Sequence, residues 1–74
     1  MGLTMKPSEL IKFLKINGYE FVRSKRGSHQ IYSNGIHTIP IPFHGNKEFD
    51  EDFIQIILKE TGIPKSELLK YLKR

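Results

Sequence analysis

The chain contains no cysteine, which excludes disulfide bonds and zinc sites built on thiolates. It also lacks any apolar run near the roughly 20 residues that a membrane-spanning helix needs. The opening residues, MGLTMK, lack the apolar core of a signal peptide, and lysine stands where a myristoylation signal needs serine or threonine. We therefore expect a cytoplasmic protein that forms one small domain over residues 1–74 and buries roughly 60% of its unfolded surface.

Charge is distributed unevenly along a chain whose formal net charge is +4. Residues 1–26 carry six cations and two carboxylates, whereas residues 48–63 carry five carboxylates and one lysine. A basic front half and an acidic later segment favour a polyanionic partner on one side of the molecule. Small proteins also carry extra lysines merely as solvated surface, so charge alone leaves nucleic-acid binding open.

The first half of the sequence predicts one helix and three strands. Pro7 suits the first position of a helix, the apolar residues that follow have helical spacing, and Gly18 suits the left-handed position that ends it. Strands are predicted at residues 19–25, 28–33 and 36–41. Asn34-Gly35 predicts a two-residue type I′ turn, because that turn needs positive φ at both positions.

The second half predicts two further helices. Asp50 suits the N-cap of a helix with an acidic first turn, which Gly62 ends, and Pro64 opens a short final helix. Pro40 and Pro42 mark the third strand as an edge strand. The order α-β-β-β-α plus a short C-terminal helix predicts an α+β fold. Its three-stranded antiparallel sheet would have helices on one face and the other face open to solvent or a partner.

Aromatic side chains divide into two groups. Four phenylalanines lie at packing positions and are expected in the core: Phe13, Phe21, Phe49 and Phe53. Tyr19 and Tyr32 lie in predicted strands, where they either join the core or stack on bases of a single strand.

Residues 23–29, RSKRGSH, are the most informative segment of the chain. Lys25 and Arg26 can hold a phosphate by charge, and Gly27 allows the backbone to approach a ligand closely. His29 can accept and donate a proton near neutral pH. Cations, a close-approach glycine and a proton carrier within a few residues favour chemistry on a phosphodiester. Surface hairpins also carry such residues without a function, so the segment alone leaves catalysis open.

The other histidines and the acidic residues have ordinary explanations beside functional ones. His44 precedes Gly45 in a loop and is either a second proton carrier that contacts the substrate or a loop residue that bonds backbone. His37 lies beside the predicted hairpin turn and is expected to be exposed and inert. No carboxylate pattern accompanies the three histidines, and a helix first turn already explains residues 50–52, so no metal or other cofactor is expected.

These segments together resemble the HicA family of toxins. The resemblance is carried by residues 7–14, by Gly18-Tyr19, by Arg23 with Gly27-Ser28-His29, by residues 38–44 and by residues 56–63. It covers roughly residues 5–72, and the order of the motifs is more specific than any one of them.

The resemblance implies an mRNA-cleaving toxin with a fold like that of double-stranded-RNA-binding domains, whose partner is an antitoxin of the HicB type. It places the family's catalytic histidine at His29. The residues expected to contact RNA phosphates are Arg23, Lys25, Arg26, Gly27, Ser28 and His44.

The chemistry of RNA itself suggests a mechanism that needs no metal. The 2′-OH is an internal nucleophile held next to the phosphorus, so an enzyme has only to deprotonate it, align it and stabilise the charge that develops. His29 would be the base. One alternative is a non-catalytic RNA-binding module, although the acidic residues 50–52 oppose duplex docking through that helix. Another is a protein-interaction adaptor, which would leave Gly27-Ser28-His29 unexplained.

Overall fold

A computed structural model of the protein describes residues 3–43, 45 and 47–73. The elements in chain order are α1 (Pro7–Ile16), β1 (Glu20–Lys25), β2 (His29–Ser33), β3 (Thr38–Pro42), α2 (Glu51–Thr61) and α3 (Lys65–Leu72). This order and the antiparallel sheet confirm the predicted α+β fold, in the α-β-β-β-α arrangement of double-stranded-RNA-binding domains with one helix added. No helix among the described residues is long and apolar enough to span a membrane.

The helix ends follow the sequence signals. Pro7 occupies the first turn of α1, where its missing N–H costs nothing. At the start of α2, the Asp50 side chain accepts a hydrogen bond of 2.9 Å from the N–H of Phe53. Gly62 ends that helix in the left-handed conformation, with φ 75°.

The sheet has the order β1-β2-β3, so β3 is an edge strand, as its prolines predict. Tyr32 of the central strand pairs with Ile39 of β3. These two side chains and Ile41 belong to the hydrophobic core. The helices supply most of the other buried core residues, including Leu10, Leu14, Ile54, Ile57 and Leu68.

The aromatic predictions are largely confirmed, with one exception. Phe13 and Phe49 are buried, and Phe53 is partly buried against the core. Phe21 was expected in the core but is 50% exposed. It lies on edge strand β1, directly before an irregularity in the pairing with β2, and its ring meets the Tyr32 ring in a T-shaped contact at a centroid distance of 5.8 Å.

Both strand-region tyrosines are core residues and are unavailable for base stacking. Tyr19 and Tyr32 are 1% and 4% exposed, and burial raises the pKa of each phenol. The Tyr32 hydroxyl donates a hydrogen bond of 2.8 Å to the Gln30 side chain.

The predicted type I′ turn at Asn34-Gly35 is wrong. Residues 34–37 form a longer loop, in which the Asn34 side chain accepts hydrogen bonds from the N–H groups of Ile36 (2.9 Å) and His37 (2.7 Å). Gly35 has a positive φ of 93°, but Asn34 does not. Because residues 34–37 are held in this loop, the third strand begins at Thr38 instead of Ile36.

Candidate active site

The register of the sheet places the candidate residues on one face. Lys25 is paired with His29, and Arg23 with Ile31. On the other side of β2, Ile31 is paired with Pro40. Side chains alternate between the faces of a strand, and Tyr32 and Ile39 face the helices. The opposite face, called the open face below, therefore carries Arg23, Lys25, His29, Ile31 and Pro40.

The turn between β1 and β2 brings a further cation to this face. Arg26 and Gly27 both adopt positive φ, of 55° and 72°. The N–H of Ser28 donates a hydrogen bond of 2.7 Å to the carbonyl of Arg26, which closes the turn tightly. The N–H of Phe43 donates to the Ser28 carbonyl at 2.6 Å, so the segment after β3 holds the turn in place.

The cations of this region are available to an anion. Arg23, Lys25 and Arg26 are all exposed. The ion pairs found among the described residues are Lys65 with Glu51 and Lys70 with Glu67, so none of the three cations is neutralised there. Unpaired cations close together attract phosphate.

His29 is half-buried at the start of β2. Its Nδ1 lies 3.4 Å from the Ser28 hydroxyl oxygen, near the upper limit for a hydrogen bond. The cross-strand neighbour Lys25 adds a positive charge on the same face. This arrangement places a proton carrier beside groups that can hold a phosphate.

Gly27 leaves room for a ligand at the turn. A Cβ atom built there would meet nothing within 4 Å. Its N–H donates to no acceptor within the described part of the chain, whereas the N–H of Ser28 is used inside the turn. The sequence suggests the N–H groups of Gly27 and Ser28 as phosphate donors. Of these two, only the Gly27 N–H is left free by the described residues for a phosphate oxygen, whereas Ser28 can contribute its hydroxyl.

A shallow cavity of about 350 Å³ opens at this place. It is lined by Lys25, Arg26, His29, Ile31 and Pro40. Sequence reasoning missed Ile31 and Pro40 as site residues. The signal that could have found Ile31 is the two-residue spacing from His29 within one strand, since such residues share a face.

Among the described residues, His37 and Glu51 do not line this cavity. The prediction for His44 falls outside the described residues, and His37 lies exposed in the loop after β2. Glu51 has a structural role: its carboxylate accepts a bond from the N–H of Leu3 (3.3 Å) and lies 3.4 Å from the Lys65 ammonium nitrogen. The hydrogen bond from the Leu3 N–H lowers the pKa of Glu51 most, and the nearby Lys65 ammonium group lowers it further.

Comparison with known proteins places the chain in a family. A family model described as the HicA toxin of bacterial toxin–antitoxin systems matches residues 7–63. A protein named "Probable mRNA interferase HicA" from Pseudomonas fluorescens (strain Pf0-1) is 37% identical over 59 residues, which cover 80% of this chain and 97% of the relative. No solved structure matches the chain significantly.

Proposed function

The chain belongs to the HicA toxin family, and from this premise we propose that it is an endoribonuclease toxin that cleaves mRNA with His29 as the proton carrier. The observation that carries the proposal is the position of His29 on the open face, beside three exposed cations that no described carboxylate neutralises. The name of the Pseudomonas relative, an mRNA interferase, supports RNA as the substrate.

The proposed reaction uses the nucleophile that RNA supplies. His29 removes the proton from a 2′-OH, whose oxygen attacks the adjacent phosphorus as the bond to the 5′ oxygen of the next nucleotide breaks. Lys25, Arg26 and the free N–H of Gly27 stabilise the negative charge on the phosphorane oxygens. The departing 5′ oxygen takes up a proton from solvent, so the products are a 2′,3′-cyclic phosphate and a 5′-hydroxyl. The proposed step uses no metal ion, because His29 accepts the 2′-OH proton and the cations stabilise the charge.

The partner that we propose is an antitoxin of the HicB type. It would neutralise the toxin by covering His29 and the cations Arg23, Lys25 and Arg26. A surface that meets these cations should be acidic, since complementary charge speeds encounter and disfavours wrong partners.

The charge of α2 disfavours the rival role of a duplex-binding module. Asp50, Glu51 and Asp52 lie at the start of this helix, and an anionic helix start repels RNA phosphates. The cations lie instead at the β1–β2 turn, beside His29.

Substitution of His29 tests the proposal. We expect His29→Ala to abolish cleavage of a purified transcript and to relieve growth arrest, with an unchanged circular dichroism spectrum. His37→Ala is the matched control, because His37 is an exposed histidine in the loop after β2. Wild-type cleavage should continue in excess chelator and leave 2′,3′-cyclic phosphate ends.

Three results would contradict the proposal. Full cleavage by folded His29→Ala would remove this residue as the catalyst. Cleavage restored only by a divalent ion would contradict the metal-free step, and products with 5′-phosphate ends would indicate attack by water instead of the 2′-OH.

A further inference from the structure

Next to its cations, the open face has an apolar surface that phosphate binding does not use. Ile31 points away from the helices, yet it is only 7% exposed, between Arg23 on one side and Pro40 on the other. Pro40 is exposed on edge strand β3. Ile31 and Pro40, called the apolar floor below, line the cavity of about 350 Å³ together with Lys25, Arg26 and His29.

We propose that the apolar floor is a nucleobase subsite, on which one base of a single-stranded RNA lies flat beside the phosphodiester whose 2′-OH His29 deprotonates. The proposal rests on the proposed function for its substrate. A single strand presents anionic phosphates and unstacked apolar base faces together, which matches a cavity that has cations at one side and two aliphatic side chains at the other. In a duplex, base faces are covered by stacking and cannot reach the floor.

The side chains of the floor determine what the subsite can recognise. Neither isoleucine nor proline has a side-chain hydrogen-bond donor or acceptor, so the floor contacts the face of a base without reading its edge. We therefore expect tolerance of base identity at this position. Both side chains are also stiff, since Ile31 is β-branched and the Pro40 ring is closed, so little conformational entropy is lost when a base packs on them.

Binding measurements with uncleavable strands test the subsite without any cleavage. The probes are two fluorescent 2′-deoxy dodecamers of equal charge, one with mixed bases and one abasic. We expect the wild-type protein to bind the base-bearing strand about fivefold more tightly than the abasic strand, from burial of apolar base surface against the floor. Pro40→Ala should bring this ratio close to one. Pro64→Ala, a change at an exposed proline before α3, should leave it unchanged.

A charge reversal separates the floor from the cations. Arg23→Glu should weaken binding of both strands by a similar factor and preserve their ratio, because Arg23 does not line the cavity. A ratio near one for the wild-type protein would overturn the proposal. So would preferential binding of duplex RNA that is insensitive to Pro40→Ala, since that result would indicate a surface that reads only backbone.

Methyl resonances of the wild-type protein give a second measurement that depends on no variant. Adenosine monophosphate should shift the Ile31 δ1 methyl upfield through the ring current of its base, while ribose 5-phosphate should not. The Ile56 methyl, which is exposed on α2, serves as the control. An Ile31 methyl that responds equally to both ligands would overturn the proposal. If His29 is not the catalyst of a ribonuclease, His29→Ala will cleave RNA like the wild type. That result comes from a cleavage assay, so it can be told apart from a failure of these binding measurements.

Discussion

Arg26 adopts a backbone conformation that is unfavourable for its residue type. Its φ of 55° lies in the left-handed region, and it is the one non-glycine residue with positive φ in the described part of the chain. Such a conformation costs an L-residue roughly 1–2 kcal/mol. Glycine would avoid that cost but would remove a cation from the edge of the cavity, and strained residues are concentrated at functional sites.

Two substitutions of Arg26 separate its backbone from its charge. We expect Arg26→Gly to be more stable than Arg26→Ala by about 1 kcal/mol in urea unfolding, because only alanine keeps the steric cost of positive φ. Both variants should lose cleavage to a similar extent, since both lack the guanidinium. Equal stability of the two would contradict the strain argument, and full cleavage by Arg26→Ala would contradict the role of its charge.

The start of α2 connects three parts of the chain through one carboxylate. Glu51 accepts a hydrogen bond from the N–H of Leu3, another from Gln55 one turn later in the helix, and lies within 3.4 Å of the Lys65 ammonium nitrogen on α3. These contacts favour the ionised form, so the N-terminal segment and α3 are held to α2 most firmly when Glu51 is charged.

The lowered pKa of Glu51 predicts a specific acid sensitivity. Its contribution to stability is present above the ordinary value of 4.5 and is lost as the pH falls through the lowered folded value. We expect Glu51→Gln to be less stable than wild type at pH 7 and to lose less stability on acidification, as measured by thermal unfolding between neutral and acid pH. Lys65→Met should reduce the pH dependence only in part, because the Leu3 N–H remains. An unchanged pH profile in Glu51→Gln would contradict this assignment.

The cations and carboxylates singled out above lie on different elements of the fold. The cations of residues 23–26 lie at the β1–β2 turn and on the open face, whereas Asp50, Glu51 and Asp52 lie at the start of α2. Under the proposed function, RNA and an acidic antitoxin would compete for the one basic surface at this turn.

A double charge reversal tests this competition. We expect Lys25→Glu combined with Arg26→Glu to weaken RNA cleavage and antitoxin binding in parallel, and the loss of affinity should be larger at low salt than at high salt. Lys12→Glu with Lys15→Glu is the matched control, since it reverses two exposed charges on α1. Unchanged antitoxin affinity with lost cleavage would mean that the partner binds elsewhere, such as an apolar helix face.

Local signals in the sequence determined most of the elements. Pro7 acts by lacking an N–H in the first turn, Asp50 by accepting from the N–H of Phe53, and Gly62 by its left-handed backbone. All three effects lie within a few residues, so these helix ends could be predicted locally. Residues 23–29 could likewise be selected as the candidate site from their residue types and close spacing alone. Local prediction failed at Asn34-Gly35, because the hydrogen bonds of the Asn34 side chain select a longer loop over the type I′ turn.

Only the tertiary structure decided which residues share the site. Ile31 and Pro40 join His29 through the pairing of three strands, and pairing depends on contacts between residues distant in sequence. The same holds for the exposure of Phe21, which depends on the irregular pairing of an edge strand and not on its own hydrophobicity. A short segment contains only residue types and their spacing. The face of the sheet that a side chain occupies depends on the strand register, and the register is fixed by the sheet as a whole.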